Sequence, residues 1–115
     1  MDRKIKKLLA ELALIAAGHH QHAEAECIAT ALDGDVHFIE LVATIRALSL
    51  MNAGQYQAAL VLLEPLAIEH EHLIFFTVMC ASALGLGAKL DFWLQQGSQS
   101  TLKNIQTFAM NYQVA

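Results

Sequence analysis

Apolar residues fall three and four apart along almost the whole of this 115-residue chain, and most of the runs they form stop at a glycine. That spacing marks one buried helical face. Strands would show Val, Ile and Thr in alternation between turn residues, and no such stretch is found. Ile5, Leu8, Leu9, Leu12 and Ile15 mark a first helix over 2–17, closed by Gly18. A second over 20–32 stops at Asp33-Gly34-Asp35, where Asp35 can cap a third helix running to Asn52. Ala58, Ala59, Leu62, Leu63 and Leu66 place a fourth helix beyond a Gly54 turn. A kink or early end is expected near Leu63, because Pro65 lacks the N–H that an interior position needs. A polar connection at 69–72 leads into a fifth helix through Leu84, closed by Gly85 and Gly87. A short sixth covers 89–96 and Gly97-Ser98-Gln99-Ser100 reads as a loop. The last helix runs from Thr101 to Tyr112, with Ser98 or Ser100 as its cap.

Gly18, Gly54 and Gly87 lie 36 and 33 residues apart, each between two helices of a pair. This is the period of a helix-turn-helix solenoid, and in the middle unit Ala47, Gly54, Tyr56 and Ala59 fall at the small, Gly, Tyr and Ala positions of a tetratricopeptide repeat. The outer units are less regular. The first has two extra residues between Gly18 and Ala25, and the third puts Phe92 where a small residue is expected. The expected fold is therefore all-α: a tetratricopeptide-like helical solenoid of about three helix pairs plus a C-terminal helix, forming one domain over 1–115.

Hydrophobic residues make up 56% of the chain and charged ones 16%, so there is more apolar surface than usual to be covered. The net charge of −4 argues against nucleic acid, which needs a clustered excess of Lys and Arg. Arg3, Lys4, Lys6 and Lys7 form the one basic cluster, which a helical turn can expose. Leu73 to Ala88 carries no charge but falls short of the roughly 20 residues a bilayer needs, so no stable membrane insertion is expected. Cys27 and Cys80 sit in apolar helical patterns and read as small buried hydrophobes more than a disulfide, which fits a reducing cytoplasm. No cleavage-like segment follows the N-terminal charges.

The stretch GHHQHAEAEC at 18–27 invites a metal reading, since His22 and Glu26 are four apart and can reach one ion, with His19 or His20 from the turn. No second ligand pair is fixed, and Cys27 points about 100° from Glu26 on a helix. Read against the repeat, the same residues form a joint, with Ala25 at the close-packing position. Glu69, His70, Glu71 and His72 sit in a connection where polar residues belong. GLGAKL at 85–90 begins like a phosphate loop but follows no strand, and Cys80 has no charged neighbour to activate it. Neither an enzyme nor a cofactor or metal is expected.

In a solenoid of this kind the first helix of each pair lines a concave groove. Repeat alignment puts Leu41, Thr44, Leu48, Met51 and Asn52 there in the middle unit. By the glycine offsets, Ile5, Leu8, Leu12 and Ile15 follow in the first unit and Ile74, Thr77, Ala81 and Leu84 in the third. The groove is almost wholly apolar and suits an amphipathic helix. Its occupant is either a partner's helix or the chain's own C-terminal helix, with Ile105, Phe108 and Met110 as the plug.

Taken together, the motifs resemble the needle-subunit chaperones of bacterial type III secretion systems, a YscG/PscG-like tetratricopeptide family. The matching pieces are Leu8-Leu9-Ala10-Glu11 with Ala13-Leu14-Ile15; Gly18, His20, His22, Glu24, Ala25 and Cys27-Ile28-Ala29; Ile45-Arg46 with Ser49-Leu50-Met51-Asn52; Gly54, Tyr56 and Ala59-Leu60; Cys80; Leu84-Gly85-Leu86-Gly87 with Leu90; and Ile105-Gln106-Thr107-Phe108. The resemblance implies a cytoplasmic chaperone that captures the amphipathic C-terminal helix of the needle subunit in its groove and prevents premature polymerisation. It also implies a small helical co-chaperone, held by the N-terminal helices at Ile5, Leu8, Leu9, Leu12 and Ile15. The segment 64–72, the pair Phe75-Phe76 and the tail after Phe108 depart from the family pattern. The alternative is a tetratricopeptide adaptor that bridges folded proteins without chaperone activity.

Overall fold

The computed structural model describes residues 4, 7, 8, 11–13 and 21–114, with the side chains of 113 and 114 excepted, and all regular structure among them is helical. The helices are α1 (His22–Leu32), α2 (Ile39–Asn52), α3 (Tyr56–Ala67), α4 (Ile74–Ala83), α5 (Gly87–Ser98) and α6 (Lys103–Val114). Single 3-10 turns at Val36–Phe38 and Glu71–Leu73 lead into α2 and α4. The described residues among 4–13 are helical as well. Gly18, with His19 and His20, lies outside the described residues.

The chain's contacts fall into two compact units, Met1–Gln55 and Tyr56–Ala115. In the first, α1 packs on α2. The core there is Ala13, Ala25, Ala29, Leu32, Phe38, Val42 and Ile45. Alanines at the contact bring helix backbones close, and the longer side chains fill the edges. Asp35 accepts the His37 N–H at 3.0 Å, as the sequence led one to expect, and so starts the turn that feeds α2.

In the second unit α3 packs on α4, α4 on α5 and α5 on α6, and α4 also touches α6. Leu60, Leu63, Leu73, Val78, Thr77 and Cys80 are fully buried. Thr77 is tolerated because its hydroxyl donates to the Leu73 carbonyl four residues back, at 2.8 Å. Gly97 was expected in a loop but lies inside α5, buried. A Cβ there would meet the Ala109 Cβ at 2.9 Å, so the missing side chain is what allows α5 and α6 to approach.

Two further expectations are corrected. The early end expected near Leu63 is not seen, since α3 runs on through Pro65 to Ala67. The proline sits in the last turn, where a missing N–H costs least, and Val61, four residues back, is 63% exposed. The third-unit turn glycine is Gly85 rather than Gly87. Gly54 and Gly85 adopt left-handed backbone at φ +77 and +69, whereas Gly87 opens α5. Around Gly54, Gly54 N–H bonds Met51 O at 3.0 Å and Gln55 N–H bonds Leu50 O at 2.8 Å. Around Gly85, Gly85 N–H bonds Ser82 O at 3.1 Å and Leu86 N–H bonds Ala81 O at 3.0 Å. The two turns superimpose with a step of 31 residues (85 minus 54), not 33.

This register has a thermodynamic signature. Gly85→Ala is expected to cost about 1–2 kcal/mol, because a Cβ is disfavoured in left-handed backbone. Gly87→Ala, with open space around it in an ordinary helical position, is expected to stabilise by about 0.4–1 kcal/mol. Urea denaturation of the two variants reads the opposite signs.

Candidate functional site

In helix α2 Val42, Ala43, Ile45, Ala47 and Met51 are buried, and Leu41, Thr44 and Leu48 are half-buried. Leu41 and Leu48 rest on the edge of the unit's core and keep one side open. Thr44 lies between them and donates its hydroxyl to the Glu40 carbonyl at 2.8 Å. Its proton is thus held by its own helix, and the row presents little beyond methyl groups. Met51, expected at the end of the row, is only 9% exposed and belongs to the core.

The two-residue register change moves the corresponding row in the third unit. Leu41, Thr44, Leu48 and Met51 precede Gly54 by the same steps as His72, Phe75, Met79 and Ser82 precede Gly85. Of the residues expected to line a groove there, Ile74, Thr77 and Ala81 are buried in the core and Leu84 is half-buried at the end of α4. The outward row of α4 is instead Phe75, half-buried, Met79, 42% exposed, and Ser82. Helix α6 touches both ends of that row. The Phe108 ring lies 4.7 Å from the Phe75 ring, centroid to centroid, and the Tyr112 hydroxyl donates to Ser82 Oγ at 2.9 Å. Of the expected plug residues, Ile105 is buried, Phe108 is half-buried and Met110 is exposed.

Among the expected co-chaperone contacts, Leu8 and Leu12 are 57% and 49% exposed while the neighbouring Ala13 is fully buried. Ile5, Leu9 and Ile15 lie outside the described residues.

The polar side chains make structural ties. A hydrogen bond joins His22 Nδ1 and Ser49 Oγ, fastening α1 to α2. Both Glu26 oxygens accept from Arg46 Nε at 3.2 Å, and Asp33 approaches the same guanidinium at 3.5 Å. Burial opposes the Arg46 charge, but the Glu26 and Asp33 contacts outweigh it and hold its pKa above the ordinary value. His22 and Glu26, four apart and able in principle to share an ion, are thus engaged with Ser49 and Arg46. Among the described residues no group of three potential ligands gathers.

In the second unit Glu64 accepts from Lys89 Nζ at 2.8 Å and from Trp93 Nε1 at 3.0 Å. Burial works against its ionisation, yet these two donors and the Lys89 charge leave its pKa lowered. Glu71 accepts from the Ser100 hydroxyl, from Thr101 N–H at 3.0 Å and from Thr101 Oγ1 at 2.9 Å. These bonds, the Ser100 one foremost, hold its carboxyl below the usual range. Ser100 Oγ in turn accepts the Leu102 N–H at 3.0 Å, a bond that closes the turn before α6 and not the expected cap, since α6 begins at Lys103. Desolvation pushes the Cys80 thiol up to about 11, as a buried cysteine requires, whereas Cys27, expected to be buried too, is exposed.

The described helices thus carry half-open apolar rows and are tied together by polar contacts. The whole chain, residues 1–115, matches the family described as bacterial type III secretion system chaperone protein, and the chain belongs to that family, whose role is not enzymatic. It is 38% identical over 110 residues to the type 3 secretion system chaperone YscG of Yersinia enterocolitica, covering 94% of this chain and 91% of that one. It is 41% identical over 95 residues to the type 3 secretion system chaperone PscG of Pseudomonas aeruginosa, covering 79% and 76%. The solved structure of a heterotrimeric complex which regulates type III secretion needle formation contains a chain of 36% identity that matches at a TM-score of 0.80, covering 98% of this chain and 97% of that one. No helix among the described residues is long and apolar enough to cross a membrane.

Two outcomes follow from these environments. Iodoacetamide should label Cys27 and spare Cys80 until the protein unfolds, because the thiolate is the nucleophile and Cys80 is both covered and protonated. Mass spectrometry of the labelled protein checks this. Glu71 has a depressed folded pKa, so its tie to Thr101 is complete at neutral pH. The stability it contributes fades as pH drops below the ordinary carboxylate range of the unfolded chain, and the tie itself is lost as pH falls through the lower folded value. In Glu71→Ala the Thr101 amide should exchange faster than in the parent at neutral pH, with the difference vanishing in acid. Equal exchange at pH 7 would show that the tie holds nothing.

Proposed function

We propose that this chain is a cytoplasmic chaperone that holds the monomeric needle subunit of a type III secretion system before export. In this reading the client's amphipathic C-terminal helix lies with its apolar face on the Leu41, Thr44 and Leu48 row of α2. A small helical co-chaperone covers the exposed Leu8 and Leu12. The observation that carries the reading is that row, half-open and with its one hydroxyl proton already committed. It suits an apolar helix face better than a terminal carboxylate, which needs paired charged donors. Family membership and the complex regulating needle formation support it.

The mechanism is competition. A needle subunit polymerises by burying an apolar helix face on its neighbours. A chaperone that covers the same face lowers the free concentration available for assembly. A stable complex of this kind buries about 1,000 Å² or more in total.

Leu48→Glu and Leu41→Glu are expected to weaken client binding at least tenfold, since an unpaired carboxylate against an apolar helix costs several kcal/mol. Circular dichroism should stay helical, because both side chains have an open side. Met51→Glu tests the fold and not the client, since that side chain is already covered. Co-purification with the needle subunit reads the result. Full recovery of the complex from both leucine variants would sink the assignment.

A further inference from the structure

Along the open side of α2 two leucines flank one smaller residue. Leu41, Thr44, Leu48 and Met51 follow one another at steps of three, four and three, the a and d spacing of a helix-helix seam. In such a seam a knob from one helix enters a hole formed by four residues of the other. Leu41, Thr44, Ile45 and Leu48 make one such quartet, wholly within the first compact unit. Ile45 is fully buried, while the other three are half-buried and Leu41 and Leu48 rest on the core. The adjoining quartet, Thr44, Ala47, Leu48 and Met51, has two members in the core and is the more closed of the two.

Thr44 sets the depth of the open hole. Its hydroxyl donates to the Glu40 carbonyl at 2.8 Å, and this bond holds a χ1 that threonine in a helix otherwise divides between two rotamers. The methyl group is therefore kept in one place before any partner arrives. A polar group entering the hole would find no free proton there to replace the water it gives up.

We propose that Thr44 is the specificity-determining residue of the α2 row: with Leu41, Ile45 and Leu48 it forms a preformed notch that takes one large apolar side chain of the client helix. This rests on the client reading above and needs no surface beyond α2. Selection works by size and polarity. A bulky aliphatic or aromatic knob fills the notch and expels its water, whereas an alanine leaves a gap and a charged side chain loses its hydration unpaired. Because the notch has one position on the helix, it also fixes the register in which the client lies.

The test uses full-length variants and synthetic peptides of the needle subunit's C-terminal helix, with affinity read by fluorescence anisotropy. Thr44→Leu fills the notch and should weaken binding of the unaltered peptide roughly tenfold or more. Thr44→Val keeps the outline and loses only the hydroxyl, so it should bind within about twofold of the parent. Single alanine substitutions along the peptide's apolar face then locate the knob. One of them should bind the parent chain more weakly than the unaltered peptide does, yet bind Thr44→Leu at least as tightly. Undiminished binding by Thr44→Leu, a loss in Thr44→Val as large as that in Thr44→Leu, or no alanine peptide that favours Thr44→Leu, each overturns the notch. Leu48→Glu is measured alongside: if it binds the peptide as the parent does, the client reading itself has failed. If it binds weakly while Thr44→Leu matches the parent, only the notch has failed. Circular dichroism checks that each variant stays helical, and if Thr44→Leu does not, the Thr44→Val result alone decides between an apolar notch and a hydroxyl contact.

Discussion

The turns at Gly54 and Gly85 decide which side of α2 and of α4 is covered and which is left open. Each closes its helix with the same two backbone bonds, and each needs a left-handed residue that a side chain resists. Once such a turn is placed, every position of the preceding helix has its direction fixed by 3.6-residue geometry. For α2 this leaves Leu41, Thr44 and Leu48 half-open. For α4 it buries Ile74, Thr77, Val78 and Ala81 and turns Met79 outward.

That dependence explains what the sequence made legible. The all-helical class, the positions of most helices and the α2 row follow from apolar spacing and a single unambiguous glycine. The α4 row does not, because Gly85 and Gly87 both suit a helix end, one as the left-handed closing residue and the other as the first residue of the next helix. Only the hydrogen bonds separate them. Gly97 misled for a related reason: a glycine beside serines looks like a loop, and its close contact with Ala109 depends on where α6 packs. Pro65 misled because the rule against interior proline weakens in a last turn with an exposed partner position. Glu64, Glu71, Trp93 and Tyr112 act across 25 to 30 residues of sequence, which no local pattern reveals. A lone tryptophan and an acidic residue in a polar connection were the available signals.

Within GHHQHAEAEC two of the described polar groups, His22 and Glu26, serve the architecture. His22 ties α1 to α2 through Ser49, and Glu26 is spent on Arg46. These groups hold the helices, while the Leu41, Thr44 and Leu48 row of α2 stays half-open. In a family of secretion chaperones such a surface fits the task of covering another protein's apolar face until it is needed.

The most direct test of this account is methyl NMR of the chain bound to the needle subunit's C-terminal helix, with leucine, isoleucine and valine methyls labelled. The account predicts intermolecular NOEs from Leu41 and Leu48 to the client's apolar side chains. NOEs confined to Val61 and Ile68, exposed in and just beyond α3, would contradict it and place the client on a different surface.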